Sequence, residues 1–147
     1  MEMTDLLTPG AVIDGLKATS KKQALQDLAE RASGLTELDA REVLDTILAR
    51  ERLGTTGVGQ GIAIPHGRLD KLDRLHGLFA RLTKPIDFES LDDQPVDLVF
   101  MLLAPESAGA DHLKALAKVS RLLRDKTVCE KLRGSDSGDA LYALLTE

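Results

Sequence analysis

Between Val96 and Leu103 the chain reads Val-Asp-Leu-Val-Phe-Met-Leu-Leu, and this run restricts the fold more than any other stretch. A strand with one wet face alternates apolar and polar residues. A strand that is apolar almost throughout belongs in a sheet covered on both faces. Pro105 ends the run, because it cannot donate to a ladder. The covering layers are visible on either side of it. Thr19-Ser20-Lys21-Lys22 opens a helix in which Ala24, Leu25, Leu28, Ala29 and Ala32 recur at helical spacing, with Gly34 placed to cap its end. A second helix starts near Asp39, with Glu42 three residues on in a capping-box pattern. Its buried stripe is Val43, Leu44, Ile47 and Leu48, and Gly54 stops it.

The period then changes. Ile62-Ala63-Ile64 is a short apolar run stopped by Pro65, and Leu75 to Leu82 alternates loosely, as a strand does. A third helix is expected from about Asp111, carrying Leu113, Leu116, Ala117, Leu122 and Leu123. After a turn at Gly134-Ser135-Asp136, a last helix carries Leu141, Leu144 and Leu145. Strands and helices are thus intermixed, which indicates an α/β domain with helices packed on a central sheet. The 147 residues fit one such domain, spanning 1–147.

Composition removes several function classes. The net charge is −5 and no basic run stands out, so binding to a nucleic-acid backbone is not expected. Aromatic residues are only 3% of the chain, which also leaves little for base stacking. The opening Met-Glu-Met-Thr-Asp has no basic region or apolar stretch of the signal-peptide kind, and nothing is long enough for membrane insertion. The expected compartment is the cytoplasm. Cys129 is the sole cysteine and reads as a buried structural thiol. His66, His76 and His112 lack the spacing of a metal site. No metal and no other cofactor is expected.

The most informative segment is Gly54-Thr55-Thr56-Gly57-Val58-Gly59-Gln60-Gly61-Ile62-Ala63-Ile64-Pro65-His66-Gly67-Arg68. It is not a Walker A loop, since Gln60-Gly61 stands where Lys and Ser/Thr would follow Gly59. It is not a dinucleotide fingerprint either, because the glycine spacing is wrong and a helix precedes it. What remains is a flexible loop leading into a strand that ends at Pro-His-Gly. Pro65 stiffens the backbone before His66, and Gly67 allows another backbone to come close. Imidazole, with a reference pKa of about 6.5, carries a free lone pair near neutral pH. It can attack phosphorus without a separate base, provided that the surroundings align the reactants and neutralise the oxygens. A histidine beside a proline also serves structural roles, and residue chemistry alone leaves both open.

Gly-Thr-Thr-Gly-Val-Gly-Gln-Gly-Ile-Ala-Ile-Pro-His-Gly resembles the active-site segment of phosphotransferase-system (PTS) IIA domains of the fructose/mannitol/nitrogen-regulatory class. The resemblance extends through Ser20-Lys21-Lys22-Gln23-Ala24-Leu25, Arg50-Glu51, Gln94-Pro95-Val96-Asp97-Leu98-Val99, Leu103-Ala104-Pro105 and His112-Leu113. It implies an α/β sandwich with helices on both sides of a central mixed β-sheet. It implies that His66 accepts the phosphoryl group, through Nε2. Arg50 matches the family's active-site arginine. Its alternative is a cation at a helix C-terminus, where the macrodipole contributes about 0.3–1 kcal/mol. His112 matches the second active-site histidine, at a helix N-terminus suited to an anion. Its alternative is an exposed first-turn residue. Thr56 and nearby amides are candidates for contact with phosphoryl oxygens. The alternative for Thr56 is a hydroxyl bonded to local backbone. Arg68 reads as a solvated surface residue and His76 as structural.

A chain of this length leaves no room for fused IIB, IIC or HPr-like domains, and it looks most similar to the nitrogen-regulatory branch. That implies a phosphotransferase component with a phosphohistidine intermediate, charged by an HPr-like phosphocarrier. The output is regulatory, through target proteins that distinguish its two forms, and a weak homodimer is compatible with it. The alternative is a carbohydrate-specific IIA that relays phosphate to a IIB domain for fructose or mannitol uptake.

Overall fold

The computed structural model describes residues 1–147. A short helix α1 (Met3–Leu6) precedes β1 (Val12–Leu16), and the helical hairpin α2 (Lys21–Thr36) and α3 (Ala40–Glu51) follows. Then come β2 (Gly57–Gly59), β3 (Ile62–Ala63), β4 (His66–Leu69), β5 (His76–Ile86) and β6 (Val96–Pro105). Helices α4 (Ala110–Arg124), α5 (Lys126–Gly134) and α6 (Gly138–Thr146) complete the chain.

The apolar run lies at the centre, as β6. Every residue from Leu98 to Ala104 is 0% exposed, which requires cover on both faces. The sheet order is β1-β5-β6-β3-β2, with β4 also paired to β6. β5 runs antiparallel to β6, whereas β3 and β4 run parallel to it. The six strands therefore make a mixed sheet flanked by helices. The α2–α3 hairpin packs on β5 and β4, α4 on β6 and α6 on β1. One apolar cluster links both layers, and Phe79 and Phe100 meet edge to face within it at 6.5 Å. No helix is long and apolar enough to cross a membrane.

Several local expectations change. Helix α2 does not stop at Gly34. It runs on to Thr36, and Glu37 takes the left-handed C-cap at φ 64°. Asp39 does cap α3, by accepting from the Arg41 amide, but Glu42 pairs with Lys71 Nζ at 3.2 Å instead of closing a capping box. The glycine segment is not an open loop. Gly57–Gly59 and Ile62–Ala63 form an antiparallel hairpin whose two turn residues, Gln60 and Gly61, have φ of 58° and 83°, the sign that primed turns need. Arg133 on α5 clamps this turn, donating from Nη2 to Gln60 O and bidentately to Asp97, each at 2.9 Å. The Asp92 carboxylate accepts from the Gln60 amide on the other side. Leu113 is 65% exposed, because the face of α4 that packs inward is His112, Ala115, Val119 and Leu123.

Candidate functional site

Residues Ile62 to Leu69 lie along one side of β6 as two pieces. β3 pairs with Leu98 and Val99, and β4 pairs with Leu102 to Pro105. Pro65 falls between them. It has no amide hydrogen to give, but its carbonyl accepts from Leu102 N at 2.9 Å. His66 is thus the first residue of a strand, held by a fixed φ before it and a central strand beside it. Gly67 is needed for a different reason from the one expected. The group that approaches is a helix side chain, since a Cβ at Gly67 would lie 2.8 Å from Thr46 Cγ2 on α3. Glycine here lets α3 seat against β4.

The His66 ring is half-buried, and its Nδ1 lies 2.9 Å from Ile64 O. A carbonyl can only accept, so Nδ1 carries the proton and Nε2 keeps its lone pair. Burial, more than any other cause, pushes the His66 pKa below the usual imidazole value, and the Arg50 cation adds to this. The Ile64 carbonyl and Glu51 oppose the shift without reversing it. The ring is neutral at pH 7 and nucleophilic at Nε2.

His112 stands beside it, with ring centroids 5.8 Å apart and planes at 67°. It is 5% exposed, in the first turn of α4, so it is not the surface residue that position alone would allow. Its Nδ1 accepts from Arg68 Nε at 2.9 Å, and its Nε2 is buried without a hydrogen-bond partner. Burial, then the Arg68 charge, then His66 push its pKa down. Arg68 is exposed, as expected for a surface arginine, but its Nε is also committed to a partner. Two residues along a strand share a face, so Arg68 leaves the sheet on the same side as His66 and reaches the helix residue that faces it.

Arg50, the penultimate residue of α3, donates from Nη1 to Gly54 O at 2.9 Å, across the turn that leads to the hairpin. The next residue, Glu51, has the opposite fate. It is buried, accepts from Lys21 Nζ at 2.8 Å and from the Thr56 amide at 3.1 Å, and also takes the Thr56 hydroxyl. The expectation for Thr56 is therefore corrected. It is 3% exposed and its hydroxyl proton goes to Glu51, so the side chain has no donor left for an anion. Glu51 is the residue that sequence reasoning missed, although it was visible as part of the Arg50-Glu51 pair. A helix that ends Arg-Glu can turn one charge out and one in.

His76 begins β5, and burial, followed by the Arg74 charge, lowers its pKa. Cys129 is buried, its Sγ donates to Leu123 O, and burial raises its thiol pKa. No three His, Cys, Asp or Glu side chains are grouped to hold a metal ion. Chemically, the site offers one neutral nucleophilic nitrogen, one unsatisfied N–H donor and two guanidinium groups, gathered at the end of a helix hairpin and the start of a strand.

Comparison with known proteins gives a consistent result. The family described as phosphoenolpyruvate-dependent sugar phosphotransferase system, EIIA 2, matches residues 5–147. A nitrogen regulatory protein of Bradyrhizobium diazoefficiens is 60% identical over 145 residues, covering 99% of this chain and 95% of that protein. The crystal structure of nitrogen regulatory protein IIA-Ntr from Neisseria meningitidis superposes with a TM-score of 0.92 at 33% identity, over 98% of each chain. The IIA mannitol protein of Escherichia coli superposes with a TM-score of 0.79 at 26% identity, over 95% of this chain and 98% of its own.

Proposed function

We propose that this chain, which belongs to the EIIA 2 family of the phosphoenolpyruvate-dependent sugar phosphotransferase system, is a regulatory phosphoryl carrier of the nitrogen-related branch that holds its phosphoryl group on His66 Nε2. The observation that carries this reading is the pairing of His66 Nδ1 with Ile64 O at 2.9 Å. It leaves the other nitrogen of a neutral ring free to attack.

The donor is an HPr-like phosphocarrier bearing its own phosphohistidine. His66 Nε2 attacks phosphorus in line. The bond from phosphorus to the donor nitrogen breaks, and its electron pair returns to the donor ring. A new N–P bond forms at Nε2. No proton leaves His66, because Nδ1 rather than Nε2 holds it. Positive charge therefore builds on the ring as the bond forms, and the Ile64 carbonyl is in place to stabilise it. The His112 Nε2–H and the Arg50 guanidinium supply donors for the phosphoryl oxygens, and positioning with charge neutralisation accounts for most of such catalysis. Regulation follows from charge. The added group brings about −1.5 to −2 to a contact surface, so cytoplasmic target proteins that bind one form reject the other.

Incubation with an enzyme I type kinase, an HPr-like carrier and phosphoenolpyruvate, read by intact mass, tests this. One phosphoryl group should be added to the protein and none to His66→Ala. Label retained in His66→Ala would end the assignment. The likeness to a mannitol IIA protein favours a second reading, transfer onward to a IIB cysteine. A purified IIB domain that takes label from the phosphorylated protein would support relay over regulation.

A further inference from the structure

His112 carries the one feature of the site that the transfer step leaves unexplained, a ring whose two nitrogens face opposite demands. Nε2 is buried and unpartnered, which is costly unless something arrives to accept from it. Nδ1 is occupied by the Arg68 Nε donor at 2.9 Å. A guanidinium never accepts and does not lose its proton near neutral pH. The nitrogen facing it must therefore be bare, and the single proton of the neutral ring must be on Nε2. Arg68 and His112 lie 44 positions apart, on β4 and α4, so the contact also sets where the first turn of α4 sits relative to His66.

We propose that Arg68 is a positioning residue, which holds His112 as the neutral tautomer with its proton on Nε2 and directed to the phosphoryl oxygens on His66. This rests on the reading of His66 as the phosphoryl carrier. A neutral donor suits a carrier better than an imidazolium would. A neutral N–H adds a hydrogen bond to the phosphoryl oxygens without adding a second full charge to the one that Arg50 already brings, so the loaded state is not held more tightly than onward transfer allows. The groups that bear on His112 are Arg68 and His66, both from β4. The Arg68 cation opposes protonation of Nδ1, and it polarises the ring so that Nε2–H becomes a better donor.

The test combines nitrogen NMR of the His112 ring with phosphotransfer kinetics. In the free wild-type protein Nδ1 should show an unprotonated, hydrogen-bonded signal, and His112 should resist protonation below the pH at which free imidazole titrates. In Arg68→Ala, protonation of His112 should move to higher pH and the Nδ1 signal should lose its hydrogen-bonded character. Phosphoryl uptake by Arg68→Ala should slow roughly ten-fold, about the worth of one hydrogen bond to a charged group. On a His112→Ala background the same substitution should add no further slowing. An unchanged His112 signal in Arg68→Ala, or equal slowing on both backgrounds, overturns the proposal. Absence of label on His66 in the wild-type protein would instead overturn the carrier reading, and the NMR result would stand apart from it.

Discussion

Glu51→Ala probes the joint on which the site is built. The carboxylate is buried where three elements meet. Lys21 opens α2 and donates at 2.8 Å, Glu51 itself closes α3, and Thr56 donates both its amide and its hydroxyl just before the hairpin. Removing the carboxylate leaves two Thr56 donors without an acceptor, at about 1–3 kcal/mol for each group that stays dry. It also takes the counter-ion from an ammonium packed 4.9 Å above the Phe88 ring. Breaking a buried pair typically costs about 3–5 kcal/mol. The Lys21 side chain keeps 17% exposure and can turn toward water, and water can enter the space left behind. We therefore expect about 3 kcal/mol rather than the sum. For 147 residues the unfolding entropy is of order 0.3 kcal/mol per kelvin, so Tm should fall by roughly 10 °C. Glu51→Gln keeps the shape and an acceptor for Thr56 but loses the charge, and should cost about 1–2 kcal/mol. Urea unfolding of the three proteins measures this directly. A Glu51→Ala protein within about 0.5 kcal/mol of the parent, the range of ordinary surface changes, would refute the view that this carboxylate ties the helix hairpin to the glycine segment.

Gly61→Ala should destabilise the hairpin by about 1–3 kcal/mol, since φ is +83° and the new Cβ would meet Arg133 Nη2 at 2.5 Å and Asp97 Oδ1 at 2.8 Å. Hydrogen exchange should show faster opening of residues 57–63 than of β5. Acid should weaken the fold before any carboxylate titrates. His66, His76 and His112 all have pKa values lowered in the folded state, chiefly by burial. The unfolded chain therefore binds protons first, so stability is level above about pH 7 and declines as pH falls through about 6.5 toward the folded-state values. Thermal unfolding at a series of pH values checks the direction, and His76→Gln, which lies outside the His66–His112 pair, should remove part of the slope.

The parts of this fold that could be read from the chain are those in which one residue type repeats with one period. The run from Val96 to Leu103 announces a doubly covered strand, and the stripes of α2 and α3 announce their buried faces. Strand β1 gave no such signal, because Gly15, with φ of 80°, interrupts five residues that include an exposed Asp14. The hairpin of β2 and β3 was hidden for a related reason. Three glycines in five residues look like a loop, yet a Cβ at Gly57 would collide with Ser90, one at Gly61 with Arg133 and Asp97, and one at Gly59 would press on Asp92. Helices α4 and α5 merge in sequence, since Asp125 alone separates them, acting as C-cap of one and N-cap of the other.

The site divides along the same line. Pro-His-Gly is local, so His66 stood out as a candidate, although only the resemblance gave it a role. The roles of His112, Arg68, Glu51 and Thr56 depend on partners that the chain brings together only by folding. One signal for His112 was present all the same. It shares a helical face with Ala115, Val119 and Leu123, and a titratable residue on the apolar face of an amphipathic helix needs a partner inside the protein. Arg68 supplies that partner at one nitrogen, and nothing in the resting protein supplies it at the other. His112 is thus one hydrogen-bond partner short in the free protein. A histidine held neutral by burial stands beside a buried ring nitrogen that has no partner inside the protein, and on the proposed reading a phosphoryl group on His66 would supply the missing acceptor.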